Sequence, residues 1–336
     1  MGATRGGGAG RLRTGIRTQD DLCRDTKRSC ADYYVQAYAQ TEAALQRHLK
    51  HYARRFGKTS SEDYAERLRA AVHGKRWQST KDRVAAIMYR ANSGAMNAIN
   101  DAAPDAIADG ANQQAYYLHT QRPDYDPLPY TAWVIVALIA AGLIAYNRKT
   151  VNREKDADYV RKRLQSITNA EIAADDDLET LARRIARRLV NSQRDLMYDT
   201  ADDMITGAYD TGIYTAAQDA ERHGIDVEKT WLGIPDNRIR ASHYHLHGMT
   251  LPLNGIFIGY HGRLRYPHDP AAPPAETRRC RCRLSVHLAG RAPIPYNGKM
   301  LTPSQVPSYL KWRENAIRTG ADDLLQAHLR RRHYNG

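Results

Sequence analysis

Cysteine is scarce: there are four in 336 residues, Cys23, Cys30, Cys280 and Cys282. That excludes a fold held together by a dense disulfide framework. The short motifs of common catalysis are missing too. There is no G-x-S-x-G elbow, no phosphate-cradling P-loop and no glycine-rich dinucleotide fingerprint. No nucleophile stands beside an evident base, so an enzyme is not expected, and no tandem repeat is present. The opening stretch, MGATRGGGAGRLRTGIRT, carries the positive charge of a secretion signal without an apolar core behind it. Its sixth residue is Gly6, where a myristoylation signal needs Ser or Thr. Residues 1–18 therefore read as a disordered basic arm, and the chain is expected to be made and kept in a reducing cytoplasm.

Acidic charge is also in deficit. Fifty Lys and Arg stand against 37 Asp and Glu, a formal net charge of +13. Such an excess favours a polyanionic partner, either nucleic acid or an anionic membrane surface. With 42% hydrophobic and 26% charged residues the composition is otherwise that of a globular chain, long enough for about two domains.

Hydrophobic spacing organises the chain. Residues 19–120 read as a helical N-terminal region. Leu45, Leu49, Tyr52 and Phe56 recur at helical intervals, Ser60 and Ser61 offer an N-cap, Gly74 closes a helix, and Pro104 restarts one. Residues 121–147 form a proline-rich linker and a hydrophobic helix. The uncharged window 127–147 has Tyr130, Trp133 and Tyr146 near its ends, with Arg148 and Lys149 after it. It is long enough to span a bilayer, which takes about 20 residues, but its strongly apolar part, 132–146, suits a helix buried in protein better. Residues 148–224 are a helical region leading into the C-terminal part. Leu178, Leu181, Ile185 and Leu189 make one apolar stripe, with Arg183, Arg184, Arg187 and Arg188 on the polar side. Those four arginines are either a solvated face or nucleic-acid contacts. Small residues (Ala201, Gly207, Ala208, Gly212, Ala216, Ala217, Ala220) then allow close helix approach, and Gly224 fits a C-cap.

From residue 225 the texture changes. Residues 227–232 read as a strand, 235–237 as a turn, 238–247 as a short helix ended by Gly248, 255–260 and 263–266 as a hairpin, and 280–284 as a further strand. Residues 291–336 form a tail with a helix and a basic end, Arg330, Arg331 and Arg332. The fold class is α+β: a long-helix N-terminal region followed by a compact α+β domain, residues 225–290, with a small antiparallel sheet.

That compact part carries an ordered set of motifs: Trp231, Asp236, Arg238, Arg240, Ser242-His243 and Gly248; then Tyr266-Pro267, Asp269 and Pro270; then Cys280-Arg281-Cys282. Trp231 is read as core. Asp236 is placed to cap a helix, with Arg238 and Arg240 near enough to pair. His243 and His247 lie one helical turn apart; with Cys280 and Cys282 they make a candidate tetrahedral zinc site. The alternative is a packed histidine beside two reduced, buried thiols, with no cofactor. Cys23 and Cys30 lie outside this set.

The order and spacing of these motifs resemble the core of the phage Mu F-like head morphogenesis family. The resemblance extends upstream through residues 147–150, Lys155-Asp156 and the small-residue helix, and covers about residues 145–290. Two departures stand out. Members often carry Ala-Arg-Thr-Glu where this chain has Met197-Tyr198-Asp199-Thr200, and some carry C-x-x-C where it has Asp236-Asn237-Arg238-Ile239. The resemblance implies a minor head protein of the virion, joining at the portal and facing the capsid interior after assembly in the host cytoplasm. Its expected partners are the portal protein, the capsid and double-stranded DNA bound without sequence preference, through Arg183, Arg184, Arg187, Arg188 and Arg330–Arg332. Two alternatives follow from the residues: a membrane-active ejected virion protein using 130–147, and a His/Cys metal-dependent nuclease built around His243.

Overall fold

The computed structural model describes residues 19–56, 61–127, 151–172, 177–234 and 236–293. The basic arm, the hydrophobic segment 130–147 and the basic end of the tail lie outside the described residues. Among the described residues no helix is long and apolar enough to cross a membrane.

Among the described residues five helices come first: α1 (Gln19–Phe56), α2 (Ser61–Ala71), α3 (Gly74–Gln121), α4 (Arg153–Glu171) and α5 (Leu178–Arg222). Their ends follow local chemistry. Asp20 and Asp21 put negative charge in the first turn of α1, where the helix dipole favours it. The Asn152 side chain accepts from the Lys155 N–H to open α4, and Asp177 accepts from the Glu179 and Thr180 N–H groups to open α5. Gly224, at φ +77°, closes α5, with the Ile225 N–H returning to the Ala220 carbonyl at 3.0 Å.

The structure joins what the sequence divides. Gly74 opens a helix rather than closing one, and α3 runs through Pro104 without stopping. Proline removes one N–H and crowds the preceding turn, but α3 lies against α1, α4 and α5, and packing overrides the local preference. The apolar stripe of 178–189 and the small-residue stretch are likewise one helix, α5.

The helices share a core in which Val84, Met88, Ile99, Leu164, Ile185 and Leu189 are fully buried. One polar group pins four of them together. The Asn92 side chain on α3 accepts from Tyr34 on α1 at 2.6 Å and donates to Asp156 on α4 and Gln193 on α5. A buried amide satisfied by three partners specifies one register of the bundle.

The C-terminal part follows α5 directly: β1 (Val227–Leu232), α6 (Ala241–Leu246), β2 (Thr250–Pro252), β3 (Phe257–Ile258), β4 (Arg263–Leu264), α7 (Pro274–Thr277) and β5 (Arg283–Leu288). An antiparallel sheet has the order β2-β1-β5, and β3 pairs with β4 as the expected hairpin. The last strand begins at Arg283, three residues later than the sequence suggests, while β2 and α7 carry no clear sequence signal. Opposite one another on one sheet face are Val227 and Leu288, Lys229 and Val286, and Trp231 and Leu284. Val227, Leu284, Val286 and Leu288 join Ile107, Ile205 and Ile213 in a second core, fixing the sheet to α3 and α5.

Lys229 is the exception on that face, fully buried between apolar neighbours. Its ammonium donates to the Leu253 carbonyl at 2.6 Å and lies over the Tyr214 and Phe257 rings. Burial, with Arg265 nearby, lowers its pKa from 10.5 to about 8. The folded state thus sheds this proton before the unfolded chain does, and stability rises with pH between about 8 and 10.5. Lys229→Met is expected to stabilise at pH 7 by on the order of 1 kcal/mol, the lost hydrogen bond offsetting part of the gain. Most of that advantage disappears by pH 10. Urea unfolding of both chains at the two pH values checks this; an unchanged difference would show that the folded protein holds the Lys229 proton as tightly as the unfolded chain does.

Candidate functional site: the motif core

The motif residues converge between the end of β1 and the start of β5. Trp231, 0% exposed, anchors them, its ring edge-on to His243 at 5.1 Å and to Phe257 at 5.3 Å. Gly248, at φ +81°, follows α6 and donates its N–H to the Trp231 carbonyl at 2.8 Å.

Asp236 does not cap α6, whose N-cap is Arg240; it accepts from the Arg238 N–H at 3.0 Å, and its chief partner is Arg281. The Arg281 guanidinium meets both its oxygens, at 2.9 and 2.6 Å, and holds the carboxyl well below the usual carboxylate range. The Arg238 side chain is largely exposed and only 3.5 Å from the carboxylate. Arg240 does not pair with Asp236. It reaches across the core to the carbonyls of Glu276, at 3.0 Å, and Arg278.

Tyr266 is buried against Tyr214, its hydroxyl 3.1 Å from the Thr211 hydroxyl on α5. Pro267 is buried and Pro270 half-buried. Asp269 grips Arg265 through its side chain and N–H, and also accepts from the Ala271 N–H. Burial works against the Asp269 charge, but these bonds win and its pKa falls.

The centre of the core is a residue absent from the motif set, Glu276 of α7. It is 0% exposed, and its carboxylate accepts from the His261 N–H at 2.6 Å, lies 3.3 Å from the Ser242 hydroxyl and meets His243 Nε2 at 2.9 Å. Gly259 leaves the room it needs, since a Cβ there would stand 2.6 Å from a Glu276 oxygen. Burial would raise the Glu276 pKa; the partners outweigh it and the pKa is lowered. His243 shows the converse balance. Burial pushes its pKa down, but Cys280 and Glu276 outweigh that and raise it.

On its other side His243 faces both thiols. Nδ1 is 3.4 Å from Cys280 Sγ and 3.5 Å from Cys282 Sγ. All four cysteines are free. The pair is asymmetric: the contact between the thiols raises Cys280 and lowers Cys282, with burial raising both. Among the described residues His243, Cys280 and Cys282 are the one group spaced to share a metal ion. His247 is not in it. It caps α6, with its N–H on the His243 carbonyl at 3.1 Å, but its ring is committed elsewhere, Nδ1 accepting from the Gly233 N–H at 3.1 Å. His268 is the other residue that sequence reasoning passed over. It is buried at φ +59° inside the Tyr266–Pro270 motif, beside Cys280.

The arginine row on α5 does lie on the polar side of the stripe. Three members are already engaged, however: Arg184 and Arg188 both pair with Glu171 at the end of α4, and Arg183 pairs with Glu42 on α1 at 3.7 Å. Asp199, in the stretch that departs from the family pattern, bonds the Arg279 guanidinium at 2.8 Å, while Asp203 accepts the Arg279 N–H at 2.7 Å. This ties α5 to the loop ahead of the Cys280-Arg281-Cys282 run.

A bundle of long helices thus carries a small α+β cap whose motif residues bond one another, Glu276, Arg265 and Thr211 of α5. The chain belongs to the phage Mu F-like family: the family described as phage Mu protein F like protein matches residues 97–285, more than half of the chain. It is a phage head morphogenesis protein. The match begins well upstream of the motifs, inside α3, and so takes in the α3–α5 contact as well as the cap. No curated protein and no solved structure matches the chain.

Proposed function

We infer that the protein is a minor head component that docks at the portal, faces packaged DNA in the capsid interior and acts as a structural part rather than an enzyme. Family membership carries this reading. The net charge of +13 supports the DNA contact, because a basic chain neutralises phosphates without reading sequence. The more favourable basic surface is not the α5 row, whose charges are partly spent on Glu171, but a groove between α1, α5 and the cap. It has a volume of about 510 Å³ and is lined by Arg24, Lys27, Arg28, Arg281 and Arg283, with Asp20 and Asp202 as opposing charges. The pairs of Arg24 with Asp21, Lys27 with Asp202 and Arg28 with Asp25 are partly exposed, and such pairs exchange readily for phosphate, whereas Arg281 is held by Asp236.

The test is a pull-down of the purified chain on the portal and major capsid proteins of the same phage, together with DNA binding across a salt series. Salt-resistant portal binding is the expected result; binding to neither protein would remove the portal role. DNA affinity is expected to fall by roughly one logarithmic unit per tenfold salt for each phosphate contacted. Replacing Arg24, Lys27 and Arg28 together by alanine is expected to reduce that slope by about 2–3. A flat salt response would remove the DNA contact.

A further inference from the structure

We propose that His243, Cys280 and Cys282 bind a structural zinc ion, with the His268 imidazole as fourth ligand. The distances suit the ion. A tetrahedral zinc with one imidazole nitrogen and two thiolates sets N···S separations of about 3.6 Å, given Zn–N and Zn–S bonds near 2.0 and 2.3 Å. His243 Nδ1 stands 3.4 and 3.5 Å from the two sulfurs, and the three ligand atoms all lie within 4.8 Å of one another.

The surroundings suit it as well. A metal-bound histidine is held in one tautomer by an acceptor on its other nitrogen. Glu276, fully buried, fills that role on His243 Nε2 at 2.9 Å, so that Nε2 carries the proton and Nδ1 presents its lone pair to the sulfurs. The Cys282 N–H points at Cys280 Sγ at 3.4 Å, a donor that stabilises a thiolate. His243, Cys280 and Cys282 are 2%, 8% and 2% exposed, which fits a closed structural site rather than a catalytic one with an open position.

The fourth ligand follows from an unexplained cost. His268 is 4% exposed, no nitrogen or oxygen atom satisfies its ring, the Cys280 thiol is its polar neighbour, and its backbone is held at φ +59°, which a residue with a Cβ rarely adopts. A buried imidazole with at most a weak thiol partner is unfavourable, and so is the backbone that places it. Both become intelligible if the ring completes a site. It neighbours Cys280 but stands outside the group of three, so zinc binding requires the ring to turn onto the ion.

The test uses the full chain, purified without a metal-affinity tag, with Zn²⁺ and Co²⁺ as probes. Expected are about one zinc per chain, an X-ray absorption spectrum with two sulfur and two nitrogen ligands, and, after exchange to Co²⁺, the thiolate charge-transfer and intense visible bands of tetrahedral coordination. Cys280→Ser and Cys282→Ser are each expected to abolish those bands. Glu276→Gln should weaken zinc binding by about 10–100-fold, as loss of an orienting partner does. His268→Asn should weaken it by at least about tenfold, whereas His247→Asn should leave it unchanged. A wild-type chain that holds no zinc and gives no thiolate band with Co²⁺ overturns the site, whether or not the variants fold. An unaltered cobalt spectrum and affinity in His268→Asn overturns the fourth ligand.

Discussion

Gly212→Ala is expected to destabilise the protein by about 3 kcal/mol or more, at the upper end of what one added methyl costs in a packed interior. In an exposed helix the same change is favourable by about 1 kcal/mol, because alanine is the better helix former. The sign reverses here because α3 and α5 touch backbone to backbone. A Cβ on Gly212 would stand 2.0 Å from the Ile107 carbonyl oxygen and 2.7 Å from the Ala111 nitrogen. A Cβ on Gly110, across the same contact, would stand 2.2 Å from the Tyr209 carbonyl oxygen. Neither obstacle is a side-chain end that can swing away. The helices must separate, which opens the contact lined by Ile107, Ile205, Ala208 and Ile213. Thermal and urea unfolding of Gly212→Ala and Gly110→Ala should both show the loss, with Tm lower by on the order of 5–10 °C. A rise in Tm for either would mean that the two backbones do not approach this closely. Since the contact lies within the segment matched by the family, the same variants should also yield less soluble protein and less portal binding.

That contact is a case where the sequence was informative. The run of small residues from Ala201 to Ala220 announces close helix packing, though not which helix the partner is. Other features were equally local and equally legible: the Gly224 stop, the strand 227–232 and the hairpin around His261 and Gly262 are each determined by residues a few positions apart. What could not be read depends on contacts across the fold. Pro104 signals a break, yet α3 continues because its neighbours hold it. His247 has the right spacing for a metal ligand, but its ring is taken by the Gly233 N–H, a contact from the end of β1. Arg184 and Arg188 look like a free basic row until α4 delivers Glu171 to them. Glu276 and His268 are the sharpest cases. Both sit in a proline-rich stretch without periodicity, and the residues they serve are up to 34 positions distant for Glu276 and 12 for His268. No spacing rule reaches them; only the folded cap shows a carboxylate and an imidazole flanking the His243 cluster.

Glu276→Ala is therefore expected to be the most damaging single change in the cap, costing about 3–5 kcal/mol, the range for removing one partner of a buried charged pair. Its carboxylate satisfies the His261 N–H and His243 Nε2 and lies in reach of the Ser242 hydroxyl, so truncation leaves buried donors without acceptors as well as a void beside Gly259. Glu276→Gln keeps the shape and one acceptor oxygen, and should cost less, about 1–2 kcal/mol. The damage should also be localised. His261 loses its acceptor directly, and α6 keeps only the Arg240 bond to the Glu276 carbonyl as its link to α7, whereas the Asn92 junction of the helical bundle shares no partner with Glu276. Hydrogen exchange on Glu276→Ala should accordingly show faster exchange at His261 and along residues 241–248, with protection of α3 and α5 retained. If the loss is under 1 kcal/mol and exchange at His261 is unchanged, Glu276 is not the hub of the cap and the Asp236–Arg281 pair must carry its closure instead. If exchange rises throughout the bundle, the cap and the helices unfold as one cooperative unit, and the motif core holds together the whole of the family-matched segment rather than its C-terminal third alone.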